Sequence, residues 1–195
     1  MRECQRRALL RSCFTRILEK IICSSKYLVL LYGKYYDRIV EKEARLAELD
    51  ENDRLLCIGG GSVPWTAMLF AIFTGVKVDV VDIDHGAVYN GQKVVEMFGL
   101  KDRVRVMRSN GLWIDTFKYD AVHIALQVSP KGEVLDHLND CCRPGTKIIM
   151  RMPKETLAYD YSNISHVQLK KYDWIKTDVG NKFNTMENTL LMVKN

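Results

Sequence analysis

Three consecutive glycines, Gly59, Gly60 and Gly61, follow the apolar run Arg54 to Ile58, and an acid, Asp82, stands near the end of the next apolar run, Lys77 to Ile83. Glycine has no side chain and tolerates positive φ, so a strand–glycine–helix passage brings backbone close to a ligand. A carboxylate about 20 residues further on, at the end of a second strand, can accept both hydroxyls of a ribose. Each feature alone is ordinary turn chemistry; the two in register favour an adenosine-containing ligand, nucleotide or nucleoside. Pro64 stands where a dinucleotide fingerprint needs its third glycine, which counts against NAD. No Gly-Lys-Ser/Thr follows the glycines, so a phosphate-cradling Walker loop is excluded. A positively charged sulfonium ligand without a pyrophosphate suits such a loop.

Other residues able to do chemistry are less specific. Tyr32, Tyr35, Tyr36 and Glu43 lie on the N-terminal segment, and of these Tyr36 and Glu43 are candidates to orient a substrate or move its proton. Tyrosines at helical spacing more commonly pack a helix onto its neighbour. His123 sits inside an apolar strand and reads as a core histidine; His85 belongs at the rim of the ligand site, His137 on a helix surface and His166 in a loop. Trp65 and Trp113 flank the glycine loop and the end of the third strand, as pocket lining or as core. The six cysteines form no CxxC pair and have no histidines at zinc spacing, so they read as reduced cytoplasmic thiols and no metal site is expected. Cys57, in an apolar strand, is expected to be a small buried hydrophobe.

The elements that must position these residues alternate. Strands are expected at 54–58, 77–83, 104–107, 119–126 and 146–152, with helices between them. The first helix starts with Ser62 as N-cap and Pro64 in its first turn, and ends at Gly75. The second runs to Phe98 and stops at Gly99 in a left-handed cap; the last covers 131–142. Strands separated by helices argue for a parallel sheet with right-handed crossovers. Two final strand-like runs, 172–179 and 189–194, joined by the polar loop 180–188, read as a hairpin. Ahead of the sheet the pattern is helical from Glu3 to Leu49, with Leu10, Phe14, Ile17, Leu18, Ile21 and Ile22 recurring at three and four and Gly33 as a break. The polar turn Asp50 to Asp53 ends it.

The fold expected is therefore α/β, a doubly wound, mostly parallel seven-stranded Rossmann-like sheet closed by an antiparallel hairpin. Residues 1–52 form an N-terminal helical cap and residues 53–195 the ligand-binding domain. A chain of 195 residues, 47% hydrophobic, suits one buried core plus such an extension. Its formal charge of +5 is concentrated at the start, where Arg2, Arg6, Arg7, Arg11, Arg16, Lys20, Lys26 and Lys34 face only Glu3 and Glu19. That could serve nucleic acid, but a solvated helix face is the commoner use. The apolar stretch Ile21 to Tyr32 is interrupted and well short of the roughly 20 residues a spanning helix needs, so no membrane span or secretory signal is expected.

The order of motifs resembles the class I S-adenosylmethionine-dependent methyltransferase family over residues 54–195. The resemblance rests on Leu56-Cys57-Ile58-Gly59-Gly60-Gly61, Val80-Val81-Asp82-Ile83-Asp84, Ser109-Asn110-Gly111 and Arg143-Pro144-Gly145. It implies S-adenosylmethionine as cofactor, with Gly59, Gly60, Gly61, Asp82, Ile83, Asn110 and Gly111 around it. Asp82 would hold the ribose, Ile83 would pack on the adenine, and Asn110 would sit near the adenine amino group. Cys57 departs from the pattern, since the family often has an acidic residue there. A narrower stretch, Ile58 to Ala67, is similar to the glycine loop of nicotianamine synthases, as are Tyr119 to Val128 and Cys142 to Gly145. In those enzymes an amine attacks the carbon chain of the methionine part, and methylthioadenosine leaves.

The resemblances imply a small-molecule methyltransferase first, and an aminobutyryl transferase as the alternative. A third reading keeps the fold as a non-catalytic binding module. After the fourth strand the chain reads Gln127-Val128-Ser129-Pro130, without the Asp/Asn-Pro-Pro-Tyr/Phe of amino-methylating DNA and RNA enzymes, so a nucleic-acid partner is not favoured. Self-association as a homodimer stays open.

Overall fold

In the computed structural model the described residues are 25–161, 164, 166–179 and 185–195, without the side chains of residues 32, 158–160, 166 and 167. The apolar series from Leu10 to Ile22, most of the basic residues preceding it and within it, Cys4, Cys13, Cys23, the side chains of Tyr32 and His166, and part of the 180–188 loop lie outside that description.

Seven strands form one sheet: β1 (Arg54–Ile58), β2 (Lys77–Asp82), β3 (Val104–Arg108), β4 (Ala121–Ile124), β5 (Lys147–Pro153), β6 (Ile175–Asp178) and β7 (Met186–Val193), in the spatial order β3-β2-β1-β4-β5-β7-β6. The first five pair in parallel, and β7 runs antiparallel to both β5 and β6. The helices are α1 (Lys26–Gly33), α2 (Asp37–Leu46), α3 (Trp65–Thr74), α4 (His85–Met97), α5 (Lys131–Cys141) and the short α6 (His166–Leu169), with a 3₁₀ turn at Glu155–Asp160. No helix among the described residues is long and apolar enough to cross a membrane.

Alternation along the strands divides the core into two layers. Leu55, Cys57, Val78, Val80, Ala121 and Ile149 face α1 to α4, where they meet Val29, Val40, Ala44, Trp65, Phe70, Val88 and Val94. Leu56, Ile58, Val81, Val122, Ile124, Ile148 and Met150 face α5, where they meet Val134, Leu135 and Leu138. Both faces of the central strands β1, β4 and β5 are largely buried, which is why these read as continuous apolar runs, whereas β3 at the sheet edge alternates and exposes Arg105 and Arg108.

Several expected boundaries move. Pro64, not Ser62, is the N-cap of α3, and Ser62 is buried instead. The fourth strand is shorter than 119–126, running from Ala121 to Ile124: the Tyr119 N–H is taken by the Thr116 carbonyl in a turn before it, and the Tyr119 phenol donates to Asp79 at 2.7 Å. The last strand begins at Met186, so three residues assigned to the loop join the sheet. Gly75 and Gly99 end their helices with φ of +78° and +69°, as their sequence positions require. Gly33, the last residue of α1, has no room for a side chain: a Cβ there would lie 2.0 Å from the Trp65 indole.

Candidate functional site

Register explains how one cavity collects residues far apart in the chain. Met107, Val81, Ile58, Ile124 and Met150 are partners on a single line across five strands. One residue beyond that line, at the carboxyl ends, stand Arg108, Asp82, Gly59, Ala125 and Arg151. Ligands of open α/β sheets bind outside these ends, where the strand order reverses, and here the reversal lies between β1 and β4. A cavity of about 490 Å³ opens there, lined by Gly59, Gly60, Gly61, Asp82, Ile83, Asn110 and Gly111, with Tyr36, Cys57, Thr66, His123, Arg151 and Thr185. The four residues of the glycine and acid motifs and the three added by the family resemblance, Ile83, Asn110 and Gly111, thus line one cavity.

At the β2–β3 end the glycine loop is tied to the acid. Asp82 Oδ2 accepts the Gly61 N–H at 2.8 Å and Oδ1 accepts the Asp84 N–H at 3.0 Å. A carboxylate offers about four acceptor positions, so these two bonds fix Asp82 and leave room for ribose hydroxyls. The loop has no space for side chains: a Cβ on Gly60 would lie 2.2 Å from Val80 Cγ1, and Gly59 has φ +84°. Ile83 is 62% exposed, an apolar surface beside the acid. Asn110 turns the chain after β3 by accepting the Leu112 N–H at 3.0 Å. Trp113 is 81% exposed and is not part of the cavity wall, whereas Trp65 both lines the cavity and packs edge-on against Phe98.

The β4–β5 end is a buried polar cluster that sequence reasoning only half found. Arg151 is 3% exposed; its Nε and Nη2 donate to the two oxygens of Glu43 at 2.8 and 2.7 Å, and its Nη1 donates to Thr66 Oγ1 at 3.0 Å. Thr189, opposite Arg151 in the β5–β7 ladder, donates its hydroxyl to Glu43 at 2.7 Å. The Tyr36 ring lies 5.5 Å from the Arg151 guanidinium carbon. Glu43 is thus fully buried behind Arg151, while Tyr36 lines the cavity. His123 is 1% exposed, with Nε2 3.7 Å from Glu43 and no hydrogen-bond partner among the described residues. Lys131, buried at the start of α5, donates to the carbonyls of Leu126 and Arg151, both at 2.9 Å, and so ties the ends of β4 and β5 together. Arg151 and Lys131 were not singled out from sequence, and Thr66 entered only within Ile58 to Ala67, the stretch similar to the nicotianamine synthase loop. The available signal was an arginine at an inward position of an apolar strand, Ile148 to Met152.

Protonation at this end is set by burial and by Arg151. Burial alone would raise the Glu43 carboxyl, but the Arg151 guanidinium bonded to it holds it below the usual carboxylate range. Burial, then the Arg151 charge, bring His123 down to about 3, against which Glu43 pulls upward. Burial, then Tyr36, push Tyr35 up to about 12. Burial also pushes the Cys57 thiol up, so it stays protonated as a small apolar group. Glu43, His123 and Tyr35 are therefore each set against exchanging protons near neutrality. The arrangement can hold and align a ligand, and alignment is a large source of acceleration in a displacement reaction.

Solved structures share this architecture. The nicotianamine synthase MtNAS, as a glutamate-to-glutamine mutant in complex with S-adenosylmethionine, superposes with a TM-score of 0.81 and 20% identity over 97% of this chain and 76% of that one. An RNA methyltransferase from Salinibacter ruber, in complex with S-adenosyl-L-homocysteine, gives a TM-score of 0.62 at 18% identity, covering 80% and 90%. The fold is that of the class I S-adenosylmethionine-dependent methyltransferases. Within that fold the chain is also 27% identical over 124 residues to the L-histidine 2-aminobutanoyltransferase of Pseudomonas aeruginosa, a match covering 61% of this chain and 47% of that protein. It spans about half the length of such relatives. No family model matches the chain. The glycine cradle, the anchored acid with free acceptor positions and the exposed Ile83 fit the adenosine half of an S-adenosyl ligand. The sheet's methyltransferase order and closing hairpin agree with the expected fold.

Proposed function

We propose that this chain transfers the aminobutyryl group of S-adenosylmethionine to an amine of a small-molecule acceptor, leaving methylthioadenosine. Bound there, S-adenosylmethionine supplies a sulfonium-activated carbon. The glycine loop, Asp82, Ile83, Asn110 and Gly111 hold the adenosine half, and the cap residue Tyr36 faces the other end. The observation that carries the reading is the similarity to MtNAS, which extends over 97% of the chain and so includes the cap helices as well as the sheet. The name of the Pseudomonas aeruginosa relative supports aminobutyryl transfer and makes L-histidine the acceptor to try first. Methyl transfer from the same cofactor is the second reading, favoured by the methyltransferases that share the fold.

By-product analysis separates them. Incubation of the full-length protein with S-adenosylmethionine and an amino-acid acceptor, followed by mass identification, is expected to give methylthioadenosine. S-adenosylhomocysteine would instead establish methyl transfer, and neither product would leave a binding module.

A further inference from the structure

The cavity has two chemically different ends, and only the β2–β3 end is accounted for by adenosine. From β2 to β5 is three strand spacings, about 14 Å at about 4.8 Å each. A ligand whose adenosine lies by Asp82 therefore places its other end toward Arg151. We infer that Arg151 is a carboxylate receptor, clamped by Glu43 so that its remaining N–H donors meet the α-carboxylate of an amino-acid unit in the cavity. The inference rests on the proposed S-adenosylmethionine site.

Four features support it. A guanidinium has five N–H donors in a fixed fork, and three go to Glu43 and Thr66, so two remain for the planar, bidentate geometry of a carboxylate. The side chain is held at several points while its two remaining donors stay open: Glu43 takes one edge, Thr66 one further N–H, the Tyr36 ring lies beside the guanidinium, and Lys131 bonds the backbone carbonyl of Arg151 itself. Burying an ion pair contributes little to stability, because desolvation offsets the attraction. A pair buried this deeply yet placed in a ligand wall is therefore accounted for by fixing the direction of the guanidinium. Beside it His123 keeps an unpartnered Nε2 at 1% exposure in the same wall, a ring nitrogen able to bond the amino or carboxylate group of such a unit. Glu43 is then a positioning residue, and its carboxylate does not touch the ligand.

Two carboxylates could be the one recognised, that of the cofactor's methionine part or that of an amino-acid acceptor. Calorimetry with S-adenosylhomocysteine and methylthioadenosine, which lacks the amino-acid end, tests the first on wild type and Arg151→Gln. Methylthioadenosine release with L-histidine against histamine tests the second. A fall of tenfold or more in S-adenosylhomocysteine affinity, with methylthioadenosine affinity kept within about twofold, is expected if the cofactor's carboxylate is bound. Unchanged affinities with a tenfold or greater loss of preference for L-histidine over histamine would assign Arg151 to the acceptor. If neither ratio moves, or both S-adenosyl ligands weaken in parallel, the inference is wrong while the site reading stands. If wild type binds neither ligand, the site reading fails and takes the inference with it. Thr66→Val, which removes one support and no charge, guards against misfolding of Arg151→Gln and is expected to move the same ratio about threefold.

Discussion

At the scale of single residues, the Glu43–Arg151 pair and Gly60 give opposite kinds of prediction. Glu43→Gln leaves the Arg151 guanidinium buried without its counter-charge, and breaking one side of such a pair costs about 3–5 kcal/mol. Urea unfolding of wild type and Glu43→Gln is expected to show that loss, and a difference below about 1 kcal/mol would contradict the pairing. Gly60→Ala adds only one carbon, but 2.2 Å from Val80 Cγ1 something must move, and overpacking of this kind costs about 1–3 kcal/mol. Because the displaced atoms belong to the loop and to β2, the variant is also expected to weaken S-adenosylhomocysteine binding at least tenfold by calorimetry. Gly99→Ala is the control, since nothing lies within 4 Å of its Cβ: strain at its φ of +69° costs stability but leaves the ligand wall untouched.

At the scale of elements, two acids two residues apart separate support from contact. Asp84 caps α4, accepting the N–H groups of Gly86 and Ala87 at 2.8 and 3.1 Å, and replacing such a cap with alanine costs about 1 kcal/mol. Both acids line the cavity, but Asp82 holds the Gly61 N–H of the glycine loop whereas Asp84 gives its Oδ1 to the first turn of α4. Asp84→Ala is thus expected to lower the melting temperature with S-adenosylhomocysteine affinity within about threefold. Asp82→Ala is expected to do the reverse, losing most affinity with a smaller melting shift. Equal effects of the two on binding would argue against Asp82 as ribose ligand. The pair also shows what the sequence made legible. Strand ends and the glycine loop were readable because period-two apolar runs, positive-φ glycines and a strand-end acid are local signals, and β1 falls on 54–58 as expected. Ser62, a good N-cap type, does not cap α3 because it is buried two residues ahead of Pro64, where the helix starts. Arg151 was hidden because its meaning is non-local: it is explained only when β5 lies beside β4 and α2 brings Glu43 across 108 residues of chain.

For the molecule as a whole, the buried charges make stability depend on pH in two separate windows. His123 stays neutral in the fold down to about 3, whereas an unfolded histidine takes its proton near 6.5. Between those values the unfolded chain binds more protons, so stability falls as pH falls, by up to about 1.4 kcal/mol per pH unit for one group. Glu43 adds to the same limb, because its lowered carboxyl contributes stability present above the unfolded value and lost as pH drops through the folded one. Lys131 acts at the other side: burial, then Arg151, bring its ammonium to about 7 from 10.5, so between these values the fold holds fewer protons and stability climbs with pH. Below about 7 the Lys131 contribution is gone and the charged ammonium is carried at a cost. Stability from urea unfolding is therefore expected to rise from pH 3 to 6.5 and again from about 7 to 9.5, stopping short of the range where tyrosines ionise. Lys131→Met, close in volume and unable to charge, is expected to flatten the second rise while leaving the first. An unchanged slope above pH 7 in that variant would show that the buried lysine does not control the alkaline limb.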